Sequence, residues 1–353
     1  MYKSISILLS IVFLTSCMKW ESPEIEPSIS VDGEGIYILN EGNFQYGNAT
    51  LSYYNPVDKT VENEVFYRSN GMKLGDVAQS MNIFDDKGWI VVNNSHVIFA
   101  IDLKTFREKG RIEGLTSPRY IHFVNENKAY VSQLWDNRIT IVNPKKFTIT
   151  GYIEVPEMKQ STASTEQMVQ IGDYVYCVCW SHQRNIIKIE VNKDCVVAKL
   201  DVGAQPQSIT LDAEGFLWVL TDGGYKGSPS GYEEPHLIKI NPVTFSIEKT
   251  FVFPITDSPT ELCVADNGNT LFWLNKDVWK MDIHSEVLPS KPFVYNIGTI
   301  FYGLSIDNKR NEIYVADAID YQQQGMVYRY SSQGEILDSF YVGVIPGFFM
   351  IQY

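Results

Sequence analysis

The sequence predicts an all-β chain folded as a seven-bladed β-propeller that is closed by its own C-terminal strand. Two observations predict this fold. A short strand motif of apolar, aromatic and apolar residues occurs seven times along the chain. In addition, the first copy lacks the strand that precedes every other copy, and the last residues of the chain supply one. A repeat of this kind is typical of blades that cannot bury their apolar faces alone.

The repeated motif begins with Ile36-Tyr37-Ile38-Leu39-Asn40 and ends with Ile313-Tyr314-Val315-Ala316-Asp317. Its second positions are separated by 53, 40, 46, 42, 54 and 42 residues, a period typical of propeller blades. We expect the large side chains at these positions to pack in the core. The second positions are Tyr37, Ile90, Tyr130, Tyr176, Trp218, Phe272 and Tyr314.

Three further strands accompany each motif in the predicted blade. An apolar strand precedes six of the copies, a third strand follows and often ends in an Asn-Pro or Asp turn, and a fourth runs outward. Ile345 to Ile351 repeat the preceding strand with Phe349 in register, so we expect them to form the innermost strand of blade 1 and close the ring. A pair of β-sandwiches would not explain seven copies or the complementary ends. The centres of the preceding strands are Met81, Ile121, Met168, Ile209, Leu262 and Leu304.

The N-terminus predicts export and lipid attachment. Lys3 is followed by an apolar run of about ten residues, which is too short to cross a bilayer of about 30 Å as a helix. Leu14-Thr15-Ser16-Cys17 is similar to a lipobox, and the alternative is an ordinary signal with an incidental cysteine. We therefore expect a signal peptide over 1–16, a lipidated Cys17 with a Pro-, Glu- and Ser-rich tether over 17–34, and the propeller over 35–353.

Composition limits the partners of the chain. With 42 acidic and 29 basic side chains, its net charge is −13, which disfavours nucleic acid as a partner. The cysteines after Cys17 do not have metal-ligand spacing. We interpret Cys177 and Cys179 as small buried residues, although an exported protein permits a disulfide.

The candidate binding site is the mouth of the propeller, where the innermost strands begin and the second strands end. Amide and carboxylate side chains end five of the seven motif strands, polar and aromatic residues precede the innermost strands, and aromatic residues occupy the joining loops. This mixture suits a large neutral ligand with many amide or hydroxyl groups. The alternative is that the amides cap strand ends and the aromatics pack between blades. The candidate ligand-binding residues are Asn40, Phe44, Tyr46, Gln79, Asn93, Arg119, Gln133, Trp135, Gln167, Trp180, Gln207, Thr221, Tyr225, Asn275, Tyr302, Asp317 and Tyr321.

Catalytic motifs are absent from the sequence: it contains no G-x-S-x-G, no H-E-x-x-H and no Gly-rich phosphate loop. His182 and His236 fall in mouth-side loops of neighbouring blades, and Glu166 lies near the channel as a lone carboxylate. We therefore expect no catalytic residues, no metal and no enzyme activity. Carboxylates that give a weak cation-site signal are Asp317, Asp320, Glu233 and Glu234.

The lipobox with its acidic tether, the seven YncE-like repeats and the phrase Asn40-Glu41-Gly42-Asn43-Phe44 together resemble one family. That family is the BtuG family, the surface-exposed cobalamin-binding lipoproteins of gut Bacteroidetes. The resemblance implies capture of cobalamin or a related corrinoid as a transported ligand, with no resident cofactor. It also implies an outer-membrane, cell-surface location through the lipid anchor, and a TonB-dependent receptor as the partner. Glycan binding, binding of a partner protein and a lyase activity remain alternatives, because fold alone does not give function.

Overall fold

The computed structural model describes residues 29–31, 34–265 and 267–353, so the predicted signal peptide, Cys17 and most of the tether lie outside the described residues. Nearly all regular structure is β-strand. The strands of the first four blades are β1 (Gly35–Asn40), β2 (Thr50–Asn55), β3 (Thr60–Glu62), β4 (Ala78–Phe84), β5 (Lys87–Val92), β6 (Val97–Asp102), β7 (Glu108–Ile112), β8 (Pro118–Asn125), β9 (Lys128–Gln133), β10 (Arg138–Asn143), β11 (Thr148–Glu154), β12 (Met168–Ile171), β13 (Tyr174–Val178), β14 (Asn185–Glu190) and β15 (Cys195–Asp201).

The remaining strands build blades 5 to 7 and complete blade 1. They are β16 (Pro206–Leu211), β17 (Leu217–Thr221), β18 (His236–Asn241), β19 (Ser246–Val252), β20 (Thr260–Val264), β21 (Thr270–Asn275), β22 (Asp277–Asp282), β23 (Phe301–Asp307), β24 (Glu312–Asp317), β25 (Gln324–Ser331), β26 (Ile336–Val344) and β27 (Pro346–Gln352). One α-helix, α1 (Val65–Asn70), and a 3₁₀ turn over Gln160–Thr162 complete the regular elements of the described chain.

Seven antiparallel sheets form the blades, and the seven-bladed propeller predicted from the sequence is confirmed. Blade 1 has the order β27-β1-β2-β3, and β27 pairs with β1 so that Phe349 lies opposite Ile38, in the expected register. Each innermost strand contacts the innermost strand of the next blade, and β27 contacts both β23 and β4. The C-terminal strand therefore closes the ring and leaves no open end to the array.

Blade 6 departs from the predicted four strands: it has three, β20-β21-β22, within the described residues. After β22 the chain pairs with the sheet only at Val278, whose N–H donates to the Val294 carbonyl over 3.0 Å. Pro289 and Pro292 lie in this segment, and proline has no N–H to donate to a strand ladder. The sequence prediction of a fourth strand is wrong for this blade.

The core lies between the blades, in seven apolar clusters that each join two neighbours. The aromatic side chains at the second position of the motif are buried in these clusters, as predicted, and burial of one such side chain contributes about 2–3 kcal/mol. Helix α1 adds Val65 and Phe66 to the cluster between blades 1 and 2. Cys177 and Cys179 are buried as predicted, and the four cysteines of the described chain are unpaired.

The mouth and the N-terminal end of the described chain lie on opposite faces of the propeller. At the mouth face, each innermost strand begins and each second strand ends. The chain enters the fold at the opposite face, where the Val31 N–H donates to the Lys104 carbonyl over 3.0 Å. Glu34 forms ion pairs there with Lys309 and Arg310, which lie in the turn between β23 and β24. The first described residues are therefore held on the face away from the mouth.

Candidate functional site

A cavity of about 810 Å³ opens on the propeller axis at the mouth face. Its walls are the first residues of the innermost strands and the loops that join the second and third strands of the blades. A narrower space of about 230 Å³ continues it along the axis, between the side chains of the innermost strands. This position matches the mouth predicted from the sequence.

Bulges at the start of the innermost strands aim side chains into this cavity. In blades 2, 5 and 7 the register shifts by one residue, so that Gln79, Gln207 and Tyr302 have no partner on the second strand. A bulge leaves its extra residue outside the ladder and turns the strand locally. Equivalent shifts occur in the other blades, and together they form what we call the cavity ring: Gly347, Gln79, Arg119, Gln167, Gln207, Glu261 and Tyr302.

The wall on blades 3 and 4 contains a buried ion pair. Arg119 Nε donates to Glu166 Oε1 over 2.8 Å, and the two side chains are 14% and 3% exposed. Arg119 Nη1 donates to the side-chain oxygen of Gln79. The guanidinium carbon lies 5.7 Å from the centre of the Trp180 ring, within the range of a cation–π contact. These contacts fix the direction of the Arg119 side chain at the cavity wall.

Trp180 connects this wall to blade 5. Its indole N–H donates to Asp222 Oδ2 over 2.9 Å, and both residues line the cavity. Burial raises the pKa of Asp222, and the hydrogen bond from Trp180 opposes that rise. The wall therefore offers an aromatic ring whose orientation is held by one cation and one carboxyl group.

The wall on blades 6, 7 and 1 carries carboxyl groups without cationic partners. The Tyr302 hydroxyl donates to both oxygens of Glu41, over 3.2 and 3.1 Å. Neither Glu41 nor Glu261 forms an ion pair with any described residue. Burial raises the pKa of Glu41 to about 7, against the opposing effects of the Arg119 charge and the Tyr302 hydrogen bond. Burial, with the nearby Glu41 charge, raises the pKa of Glu261 to about 8.

A glycine makes room for one of these carboxyl groups. At Gly347, the cavity-ring position of blade 1, a Cβ atom would lie 2.6 Å from Glu41 Oε1. A side chain at this position would displace Glu41, because Cβ atoms in proteins essentially never lie within 3.0 Å of an atom of a non-adjacent residue. The glycine therefore allows the Glu41 carboxyl group to occupy the place in the ring that other blades give to the polar side chain of the bulge residue.

The structure brings seven of the predicted ligand-binding residues together at the cavity. The Tyr321 ring packs edge-on against the Tyr302 ring, with 5.8 Å between the ring centres. Gln167 accepts a hydrogen bond from the Ile209 N–H over 3.1 Å, and Gln207 donates to the Pro259 carbonyl over 3.3 Å. The predicted residues that line the cavity are Gln79, Arg119, Gln167, Trp180, Gln207, Tyr302 and Tyr321.

The predicted residues at the ends of the motif strands do not line the cavity. Asp317 is 1% exposed and accepts hydrogen bonds from the N–H groups of Thr299, Ile300 and Ile319 over 2.7–2.9 Å. The others bond to neighbouring side chains or backbone in the same way, which fits the alternative that they cap strand ends, and ligand binding by them stays a prediction. We call these residues the strand-end ring: Asn40, Asn93, Gln133, Thr221, Asn275 and Asp317.

Four predicted loop aromatics lie outside the cavity lining. Phe44, Tyr46, Trp135 and Tyr225 are 62%, 76%, 48% and 51% exposed. They belong to loops between second and third strands, so they stand on the rim of the mouth face. A role in ligand binding would require a ligand that extends beyond the cavity.

Sequence reasoning missed four charged residues of the cavity lining: Glu41, Asp222, Glu261 and Lys276. A signal for Glu261 was present, since it directly precedes the apolar centre Leu262 as Gln167 precedes Met168. Glu41 directly follows the last residue of β1, where a loop side chain turns toward the axis. In the part of the chain that the structure describes, no three His, Cys, Asp or Glu side chains are placed to hold a metal ion.

Residues 34–342 match the model of a protein family described as a domain of unknown function, DUF5074. The chain belongs to this family. No curated protein matches it. The described α-helix has six residues, so no helix in that part of the chain is able to span a bilayer.

Several solved propellers share the fold at low sequence identity. A quinonprotein alcohol dehydrogenase-like protein from Bacteroides thetaiotaomicron aligns with a TM-score of 0.68 and 16% identity, over 90% of this chain and 78% of that one. The periplasmic gluconolactonase of Pseudomonas aeruginosa gives 0.65 and 11%, over 90% and 99%. A putative 6-phosphogluconolactonase from Bacteroides fragilis gives 0.64 and 12%, over 90% and 98%. At these identities the likeness establishes the fold alone.

Proposed function

We propose that this protein captures a corrinoid in its mouth cavity and passes it to a TonB-dependent outer-membrane transporter. The observation that carries the proposal is the cavity ring: amide, hydroxyl and charged side chains surround a wide axial cavity beside Trp180. A corrinoid is a broad, flat macrocycle bordered by carboxamides, so it needs hydrogen bonds at its edge and flat apolar contact at its face. Sites for such ligands combine a few placed polar groups with aromatic surface.

Titration of the purified protein with cyanocobalamin tests this proposal, with the corrinoid absorbance or the heat of binding as the signal. We expect saturable binding, and a Trp180→Ala variant should bind more weakly. Tyr152→Ala is a matched control, because Tyr152 is an exposed aromatic residue on the outer strand β11, away from the mouth. Absence of binding at micromolar cyanocobalamin would overturn the proposal.

The proposed location is the outer membrane, with a lipid on Cys17. Residues 18–28 separate that cysteine from the first described residue and reach at most about 40 Å when extended. Because Val31 and Glu34 are held on the face opposite the mouth, such an anchor leaves the cavity facing away from the membrane unless the propeller turns over on its tether. Cys17→Ala should release the protein into the soluble fraction, and mass spectrometry of the membrane-extracted protein should show the added lipid. An unmodified Cys17 would contradict this location.

A second candidate function is an enzyme of the same compartment, such as a lyase that acts on glycans. The observation in its favour is the pair Glu41 and Tyr302, because a cavity carboxyl group with a pKa of about 7 has the protonation behaviour that a general acid or base requires. Turnover of a glycan that is lost in Glu41→Gln, together with no corrinoid binding, would favour this function over capture.

A further inference from the structure

The cavity has two walls of opposite chemistry. The blades follow one another around the axis in chain order, so Arg119 on blade 3 lies across the cavity from Glu261 on blade 6 and Tyr302 on blade 7. The wall at Arg119 therefore presents unused guanidinium N–H groups, and its carboxyl groups, Glu166 and Asp222, already accept hydrogen bonds from Arg119 and Trp180. The opposite wall presents the carboxyl groups of Glu41 and Glu261, with Lys276 of blade 6 in the cavity lining on the same side.

The acceptor wall consists of the carboxyl groups of Glu41 and Glu261. Glu261 makes no side-chain hydrogen bond to a described residue, and Glu41 receives its one donor from Tyr302. A ligand that covered these carboxyl groups without offering donors would remove water from them at a large cost in free energy. The wall therefore favours ligand groups that donate hydrogen bonds.

The donor wall has unused N–H groups on Arg119. Arg119 uses Nε for Glu166 and Nη1 for Gln79, whereas Nη2 has no hydrogen-bond partner among the described residues. Arginine has no acceptor, so this nitrogen is able only to donate. A carbonyl oxygen of a ligand at this position would accept a hydrogen bond from one of the unused N–H groups of the guanidinium.

We propose that the mouth cavity selects ligands by their carboxamides, with amide N–H₂ groups against Glu41 and Glu261 and an amide oxygen against Arg119. This inference rests on the proposed corrinoid capture and names the chemical groups of the ligand that the cavity recognises. Its consequence is discrimination: a corrinoid in which one carboxamide facing the acceptor wall has become a carboxylate meets like charge there.

The discrimination depends on pH, because the acceptor wall itself titrates. With pKa values of about 7 and about 8, Glu41 and Glu261 are both protonated at pH 5.5 and both charged at pH 9. The ligand carboxylate, with an ordinary pKa of about 4.5, stays charged at both values. We therefore expect the penalty against the acid at pH 9 and its loss at pH 5.5. Other titratable or charged groups around the two carboxyl groups are Arg119, Tyr120, Glu166, Asp222, Cys263, Lys276, Tyr302 and Tyr321.

The test compares the affinities of cyanocobalamin and its separated monocarboxylic acids for the full chain at pH 5.5 and pH 9. For at least one acid isomer we expect binding about tenfold or more weaker than cyanocobalamin at pH 9 and within about threefold of it at pH 5.5. Glu261→Gln and Glu41→Gln should each reduce the difference at pH 9. Glu335→Gln, an exposed carboxylate on the opposite face, is the matched control and should leave it unchanged.

The outcomes separate this inference from the function on which it rests. Equal binding of cyanocobalamin and of every acid isomer at pH 9 would overturn the carboxamide selection while corrinoid capture stands. No binding of cyanocobalamin at either pH would overturn the capture as well. The pH series on the unaltered protein needs no variant, so a folding defect in a glutamine variant does not affect the conclusion.

Discussion

Two rings of polar side chains meet at the mouth end of the same blades and differ in what they are available to do. The strand-end ring is largely buried, and its members donate to and accept from the protein itself, as Asp317 does with three backbone N–H groups. The cavity ring stands outside the strand ladders at bulges and faces an open space. A polar residue at a strand end therefore bonds mainly within the protein, whereas a polar residue at a bulge faces the cavity, where a ligand is able to contact it.

The largest effect should come from Asp317→Ala. This change leaves three partly buried backbone N–H groups without their carboxylate acceptor, and we expect the free energy of unfolding to fall by about 2–3 kcal/mol. Denaturant unfolding measures it, and ligand affinity of the folded protein should stay within about twofold. Asp320→Ala is the control, since Asp320 accepts its bonds in an exposed loop and should affect stability much less. A stable Asp317→Ala protein with weakened binding would move Asp317 into the binding site.

Trp180→Ala should have the opposite effects, with weaker ligand binding and little change in stability. Trp180 lines the cavity against Arg119, so we expect the loss of about 2 kcal/mol of binding free energy, or roughly thirtyfold in affinity for cyanocobalamin. The free energy of unfolding should change by less than about 1.5 kcal/mol, because the side chain is only partly buried in the cavity wall. Titration and denaturant unfolding of the same sample check both values. Unchanged affinity would place the ligand away from blade 4.

The pH dependence of stability distinguishes the acceptor wall from the rest of the mouth. Because the folded pKa values of Glu41 and Glu261 lie above their ordinary value of 4.5, the folded protein holds protons that the unfolded chain has released, and stability falls as pH rises from about 5 to 8. A Glu261→Gln protein lacks this penalty. Its stability relative to wild type should rise over this range by about 1–2 kcal/mol, less than the full shift implies because the side chain borders an open cavity.

Denaturant unfolding at pH 5, 6.5, 8 and 9 measures this difference. Glu335→Gln, whose carboxyl group is exposed on the opposite face, should run parallel to wild type throughout. A Glu261→Gln curve that also runs parallel would mean that Glu261 is charged in the folded protein across the whole range.

The sequence predicts the fold of this molecule more completely than it predicts the candidate site. The repeat, the closing strand and the buried aromatic positions followed from periodicity, because side-chain burial imposes a regular pattern on each blade. The absence of a fourth strand in blade 6 was not predicted, although Pro289 and Pro292 are present in the segment that follows β22. The strand-end amides and the cavity amides look alike in a linear sequence. Among these amides, the bulges, which depend on pairing across strands, decide which side chains reach the axis.

Glu41 is one residue whose place in the cavity could not be predicted from the sequence. Its place in the cavity depends on the absence of a side chain at Gly347, which is far away in the sequence and next to it in space. Periodicity within one blade gives no sign of such a contact. Three of the four residues that sequence reasoning missed, Glu41, Asp222 and Lys276, directly follow the last residue of a second strand, whereas Glu261 lies on the innermost strand β20.

The smallest effects should come from the rim, and they sharpen the boundary of the site. Trp135 and Tyr225 stand on the mouth face and are about half exposed, outside the cavity lining. Alanine at either position should weaken cyanocobalamin binding by about twofold to threefold, or roughly 0.5 kcal/mol, because these side chains touch only a ligand that extends beyond the cavity. Titration of the two variants beside Trp180→Ala measures the gradient from the axis to the rim. A loss at Trp135 or Tyr225 as large as that at Trp180 would mean that the loops close over the ligand and that the rim belongs to the binding site.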